Sequence, residues 1–380
     1  MAFKKLYQPY NKNGLTLKNR FLMAPMTRSR SSQPGDIPNE LMAEYYGQRT
    51  SAGIIISEAT QVSLQGKGYA KTPGIYTQEQ VEGWKLITDE VHKKGSKIFL
   101  QLWHVGRVSS SKVNGLQPIA PSKKTAKDTN VYIFNGAPNG DATFVTVEEP
   151  RAMTKADINQ VIEEFKTGAK NAIEAGFDGV EIHGANGYLI DQFLRSNSNQ
   201  RTDEYGGTKD NRVRLLTEIT QAVAQEIGHE KTGVRLSPFI SFKDMNDPEI
   251  LDTIMIATQE LENIGITYLH LCEADWDDAP EIPNEFRENL RKTFSKTIIA
   301  TGNKTPEQGE DLLEKGLVDL IGFGRNFLTN PDYPIRVKLN APLNKITNTN
   351  TNTLFGGGDA RGYTDYPFLK QGSMDTIEEK

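Results

Sequence analysis

A histidine, an asparagine and a tyrosine stand close together where an apolar run turns polar. They are His183, Asn186 and Tyr188, in VEIHGANGYLIDQFLRSNSNQRTDEYGG (180–207). An imidazole, an amide and a phenol are all hydrogen-bonding groups that could serve a bound molecule at a strand end. Each residue alone has a plainer use: His183 as a capped core histidine, Tyr188 as a packing aromatic. A metal centre is not indicated. His183 has no acid or histidine at ligand spacing, and HGANGY is not a metal motif. The single cysteine, Cys272, excludes an intrachain disulfide, a cysteine-rich zinc site and an iron–sulfur cluster. It sits in the strand-like ITYLHLCEAD and is expected to be a buried core thiol rather than a catalytic one.

The elements that must position these residues recur along the chain. Eight short apolar runs appear: RFLMAP (20–25), AGIIISE (52–58), KIFLQLW (97–103), FDGVEIH (177–183), TGVRLS (232–237), ITYLHL (266–271), KTIIAT (296–301) and VDLIGFG (318–324). Most are continuous rather than alternating, as in parallel strands buried on both faces. Helical patterns lie between them. One runs from a Thr cap to Gly95. Another has Thr154 as N-cap, Asp157 at the capping-box position and a stop at Gly176. The patterns NRVRLLTEITQAVAQEIG, DPEILDTIMIATQELENIG and TPEQGEDLLEKG repeat the scheme. The expected fold is an α/β, (β/α)8 TIM barrel. An open doubly wound sheet is the alternative, less favoured because eight strands are present and no Gly-rich dinucleotide turn opens the chain. Residues 104–150 are expected to form a long capping loop with a hairpin after the third strand. Residues 272–290 are expected to be a further loop. The tail from about 341 to 380 carries a low-complexity Asn/Thr stretch, and its aromatic part is expected to pack back. All 380 residues are expected to be one domain.

In such barrels chemistry sits at the C-terminal strand ends. Those ends supply Pro25, Met26 and Thr27; Glu58, Ala59 and Thr60; Gln101, Trp103 and His104; His183, Asn186 and Tyr188; Arg235; Gly302 and Asn303; and Gly324 and Arg325. Gly302 and Gly324 precede turns after the seventh and eighth strands, the usual phosphate position in this fold, and Arg325 adds a guanidinium. Each glycine alone could be a mere turn residue. No strand end offers a lysine for Schiff-base chemistry. The remaining donors, with one cation, suit a flavin, with an amide for its polar edge and an arginine where charge builds on reduction.

These residues resemble the Old Yellow Enzyme family, through APMTR (24–28), QLWHVGR (101–107), HGANGYLIDQFL (183–194), RTDEYGG (201–207), RLSP (235–238), FGR (323–325) and GGG…GYTDYP (356–367). The match runs in order along nearly the whole chain, in the form seen in N-ethylmaleimide and pentaerythritol tetranitrate reductases. The resemblance implies noncovalent FMN, NADPH or NADH as reductant, and reduction of activated C=C bonds. Substrates would be α,β-unsaturated carbonyls, maleimides, nitroalkenes and nitrate esters. It implies that Pro25, Met26 and Thr27 run along the isoalloxazine and that Ala59 and Gln101 meet its pyrimidine edge. Arg235 would sit by N1/O2, and Gly302, Asn303, Gly324 and Arg325 would hold the phosphate. His183 and Asn186 would polarise the substrate oxygen while Tyr188 protonates the α-carbon. Tyr69, Trp103, Trp276 and Phe355 would line the substrate pocket, with aromatic packing an equal contender. Lys243 and Phe355 stand where some relatives have glutamine and tyrosine.

Other readings find less support. A dienoyl-CoA-reductase type needs an iron–sulfur cluster, and the redox-sensing branch often has a cysteine where Thr27 stands. A metal or Schiff-base lyase lacks its ligands or lysine. A non-catalytic flavin sensor would need Arg235 and Arg325 but not Tyr188. Net charge is −5 with both signs scattered, so no basic block argues for nucleic acid or anionic lipid. The N-terminus has no apolar leader core and no stretch is apolar for about 18 residues, so a cytoplasmic protein off the membrane is expected; monomer and homodimer both remain open.

Overall fold

The computed structural model describes residues 3–134, 142–274, 280–346, 353–355 and 359–370. Each of the eight apolar runs contains a strand: Phe21–Met23 (β1), Ile54–Ile56 (β2), Lys97–Trp103 (β3), Gly179–Gly184 (β4), Thr232–Leu236 (β5), Tyr268–Cys272 (β6), Thr297–Thr301 (β7) and Leu320–Phe323 (β8). All neighbours are parallel, and β3 pairs with β4 to close the sheet into a barrel. Closure explains the unbroken apolar runs, because one face of each strand packs inside the barrel and the other against helices.

The helices begin where the sequence offers caps. Thr77, Thr154 and Thr305 each accept from the third amide of their helices, and Gln80, Asp157 and Gln308 reach back in capping boxes. Gly95 and Gly176 end two of them at φ 73° and 91°, values that glycine adopts at no steric cost. Ile158, Val161 and Phe165 of helix Lys155–Glu174 join the main core against the barrel wall. Each such fully buried side chain contributes roughly 1.5–3 kcal/mol.

Inside, the N-terminal half of the barrel is filled by Leu22, Ile54, Phe99, Tyr268, Ile299 and Leu320. A short antiparallel hairpin, Tyr10–Lys12 with Leu15–Leu17, adds Tyr10, Leu15 and Leu17 to that cluster. The Tyr10 hydroxyl bonds Thr297 Oγ1 at 2.8 Å, at the start of β7. That end is stoppered.

The other end carries the insertions. After β3, Asn130–Phe134 and Ala142–Thr146 form an antiparallel hairpin, and Val131 packs with Trp103 and Val105 at the mouth. The segment expected as a loop over 272–290 ends instead in helix Asn284–Thr293, which buries Phe286 and Leu290. The C-terminal tail does pack back. Arg28 Nε donates to Leu354 O at 3.1 Å and its Nη2 to Gly362 O at 2.6 Å. Tyr363 stacks on Tyr45 with ring centres 4.1 Å apart. Among the described residues no helix is long and apolar enough to cross a membrane.

Candidate active site

The C-terminal strand ends open on a cavity of about 430 Å³, within the range of small-molecule and cofactor sites. Pro25, Met26 and Thr27 follow β1, Ala59 follows β2, and Gln101 and Trp103 end β3. His183, Asn186 and Tyr188 come from β4 and its loop, Arg235 from β5, Gly302 and Asn303 from beyond β7, and Gly324 and Arg325 from beyond β8. All of these line the one cavity, as do Tyr69 and Phe355. Trp276 lies outside the described residues.

The loop after β4 explains how three residue types converge. Asn186 and Gly187 take φ of 58° and 78°, consecutive left-handed residues that turn the chain sharply from strand into helix Leu189–Leu194. A side chain on Gly187 would meet Lys243 Cβ and Met245 Cγ at 3.0 Å. The turn is held from below. The Asn186 amide donates to Ser237 Oγ at 2.8 Å and that of Gly187 to Asp191 Oδ2 at 2.9 Å. The buried Asp191–Arg195 ion pair, at 2.9 Å, fixes the helix start. Tyr188 stands edge-on to Trp103 at 4.8 Å and to His183 at 5.2 Å. Its hydroxyl is 3.2 Å from that of Tyr69.

Charge in the cavity is one-sided. Arg235, Lys243, Lys304 and Arg325 line it, and among the described lining residues there is no Asp or Glu. Lys304 is matched from outside by Glu273 at 2.6 Å, itself bridged to Arg287. Burial first, then the nearby cations Arg235 and Lys243, hold the His183 imidazole well below its usual 6.5. His183 is therefore a neutral donor at physiological pH. Four buried polar atoms of the lining have no hydrogen-bond partner among the described residues: Trp103 Nε1, His183 Nδ1, Asn186 Oδ1 and Arg235 Nε. Buried polar atoms are normally satisfied, so these mark where a ligand's polar atoms belong. This mixed set of donors and an acceptor, with Arg235 and Arg325 both on the lining, fits FMN, whose phosphate is anionic and whose ring gains negative charge on reduction.

Several expected and unexpected placements stand out. Cys272 is buried, but on the cavity wall, where it accepts from Arg235 Nη2 at 3.3 Å. His104 does not reach the cavity; its Nδ1 accepts from the Gly106 amide at 3.1 Å. Burial pulls its pKa down from 6.5 to about 3. Between those values the unfolded chain binds a proton that the folded one does not, so stability falls as pH drops. His104→Gln is expected to relieve that loss by about 1.4 kcal/mol per pH unit below about pH 6. Urea midpoints at stepped pH test this, and an unchanged slope would count against it. Sequence reasoning did not single out Lys304, Phe242, Glu181 or His270. The alternation in VEIH and YLHL does put Glu181 on the face of His183, and His270 on that of Cys272.

Comparison with known proteins places this geometry. Residues 5–344 match the family described as NADH:flavin oxidoreductase / NADH oxidase. The chain is 42% identical to 12-oxophytodienoate reductase 1 of Oryza sativa subsp. japonica, over 96% of this chain and 93% of that one. Morphinone reductase superposes with a TM-score of 0.91 at 42% identity, covering 98% of this chain and 99% of that one. Its complex with tetrahydroNAD gives 0.90 at 42% identity, over 97% and 98%. The old yellow enzyme homologue from Zymomonas mobilis gives 0.89 at 40% identity, over 96% and 100%.

Proposed function

The chain belongs to the NADH:flavin oxidoreductase / NADH oxidase family, and from that premise we propose roles for the residues around its cavity. It is a nicotinamide-dependent flavin oxidoreductase that reduces activated C=C bonds. The observation that carries the assignment of roles is the convergence of His183, Asn186 and Tyr188 on one cavity whose described lining holds four cations and no acid.

FMN, when bound, supplies the hydride drawn from NADH or NADPH. Pro25, Met26 and Thr27 would lie along its ring, Ala59 and Gln101 at its pyrimidine edge, and Arg235 where negative charge collects. Gly302, Asn303, Gly324 and Arg325 would hold the phosphate. His183 and Asn186 donate to the carbonyl or nitro oxygen of the alkene. Addition at the β-carbon pushes charge onto that oxygen, so these donors bind the transition state more tightly than the ground state. Tyr188 gives its hydroxyl proton to the α-carbon, and the Tyr69 hydroxyl 3.2 Å away orients that phenol. Trp103 and Phe355 wall the substrate side. Hairpin and tail residues Tyr132, Phe144 and Leu354 line the same cavity, which supports reading the chain as one domain.

The test is an anaerobic stopped-flow titration of the FMN-loaded protein. NADH or NADPH is expected to bleach the flavin and 2-cyclohexen-1-one to restore it. Bleaching without recovery would discard the alkene assignment. A chain that takes up no FMN would overturn the whole reading.

A further inference from the structure

Behind Gln101 and Thr301 lie two buried polar side chains, Glu181 and His270, that the proposed reaction does not use. Glu181 and His270 are fully buried. Glu181 Oε1 accepts from Gln101 Nε2 at 2.7 Å, and its Oε2 meets His270 Nδ1 at 2.7 Å. His270 Nε2 meets Thr301 Oγ1 at 2.6 Å. Strand register sets Glu181 beside Gln101 and His270 beside Arg235. Both ends of the row, Gln101 and Thr301, line the cavity, as Arg235 does.

A buried acid is costly unless charges and hydrogen bonds offset its desolvation. Here they do. Burial raises the Glu181 carboxyl, but His270, Arg235 and Gln101 together bring it below its usual value. Burial lowers the His270 imidazole, with Glu181 opposing and Arg235 adding to the fall. A carboxylate only accepts, so neutral His270 must carry its proton on Nδ1. Its Nε2 is then bare and must accept from the Thr301 hydroxyl. Thr301 thus turns a lone pair, not a proton, toward the cavity, and the Gln101 amide is fixed with its nitrogen toward Glu181.

We propose that Glu181 is a positioning residue for the flavin: it sets which wall atoms donate and accept toward the ring, and balances the charge of Arg235. This rests on the flavin reading of the cavity.

Glu181→Gln inverts the row. The new carboxamide can accept from Gln101 only by donating to His270 Nδ1. The imidazole proton then moves to Nε2, and the Thr301 hydroxyl turns to donate into the cavity. The wall gains a donor and loses a negative charge, and both changes favour reduced FMN. The midpoint potential of the FMN-loaded variant is expected to rise by about 30 mV, an increase of about tenfold in affinity for reduced over oxidised FMN. Glu181→Asp, which keeps the charge, is expected to stay near the wild-type value. An unchanged potential in Glu181→Gln overturns the proposal. If Arg235→Gln shifts the potential while Glu181→Gln does not, the flavin site stands and the role of Glu181 falls. A wild-type chain that binds no FMN removes both. Nitrogen NMR of the wild-type apoprotein decides the matter even if the variant does not fold. His270 protonated on Nδ1 is expected, and the Nε2 tautomer would refute the row's polarity.

Discussion

Tyr188→Phe is expected to slow reoxidation of the reduced enzyme by 2-cyclohexen-1-one by roughly 10²–10⁴-fold, the usual worth of a positioned general acid. Reduction by NADH or NADPH should keep its wild-type rate, because that half-reaction needs no proton at the α-carbon. The substitution removes one oxygen and leaves the ring, which stands edge-on to Trp103 and His183 at 4.8 and 5.2 Å. Packing is thus preserved and the loss can be assigned to the proton. Rapid-mixing traces of the two half-reactions make the comparison. Equal losses in both would mean that Tyr188 shapes the cavity rather than supplying the acid. A nitroalkene, whose reduced product can take its proton from water, should be affected less than an enone.

The second large effect is expected at the oxygen-binding pair. Removing either donor should lower kcat for enones by about 10²–10³-fold, since on the proposed reading each meets charge that develops in the transition state. The choice of substitution matters at Asn186. With φ at 58°, alanine there would add backbone strain of roughly 1–2 kcal/mol, whereas Asn186→Gly deletes the amide and keeps the turn. His183→Leu is the matching change on the strand. The double variant should lose less than the product of the two, because they share one oxygen. A rise in KM with kcat intact would instead mean that the pair only binds substrate.

Much of this was legible in the sequence, for identifiable reasons. The eight strands showed because closure buries both faces of each, leaving uninterrupted Val, Ile and Leu. Three helix starts showed because threonine caps with Gln or Asp three residues on are local signals. Helix Asn284–Thr293 gave no such signal. It follows Pro283 with no side-chain cap, and it is short, so 272–290 read as loop. The strand-end rule found His183, Arg235 and Gln101, whose side chains do meet in one cavity. It also offered His104 and Glu58, which face elsewhere: Glu58 accepts the amides of Arg28 and Ser29 at 3.1 and 3.2 Å and braces the turn after β1. The pairing of Glu181 with His270 spans 89 residues. No spacing rule reaches that far; the pairing forms because β4 and β6 flank β5 in the folded sheet.

The hairpin Tyr10–Lys12 with Leu15–Leu17 stoppers the N-terminal end of the barrel. Among the described residues the cavity is thus approached from the opposite rim. On the proposed reading the nicotinamide and the alkene would both enter and leave by that rim, one after the other. Steady-state kinetics should show parallel double-reciprocal lines, and each reactant in excess should inhibit by blocking the other's turn.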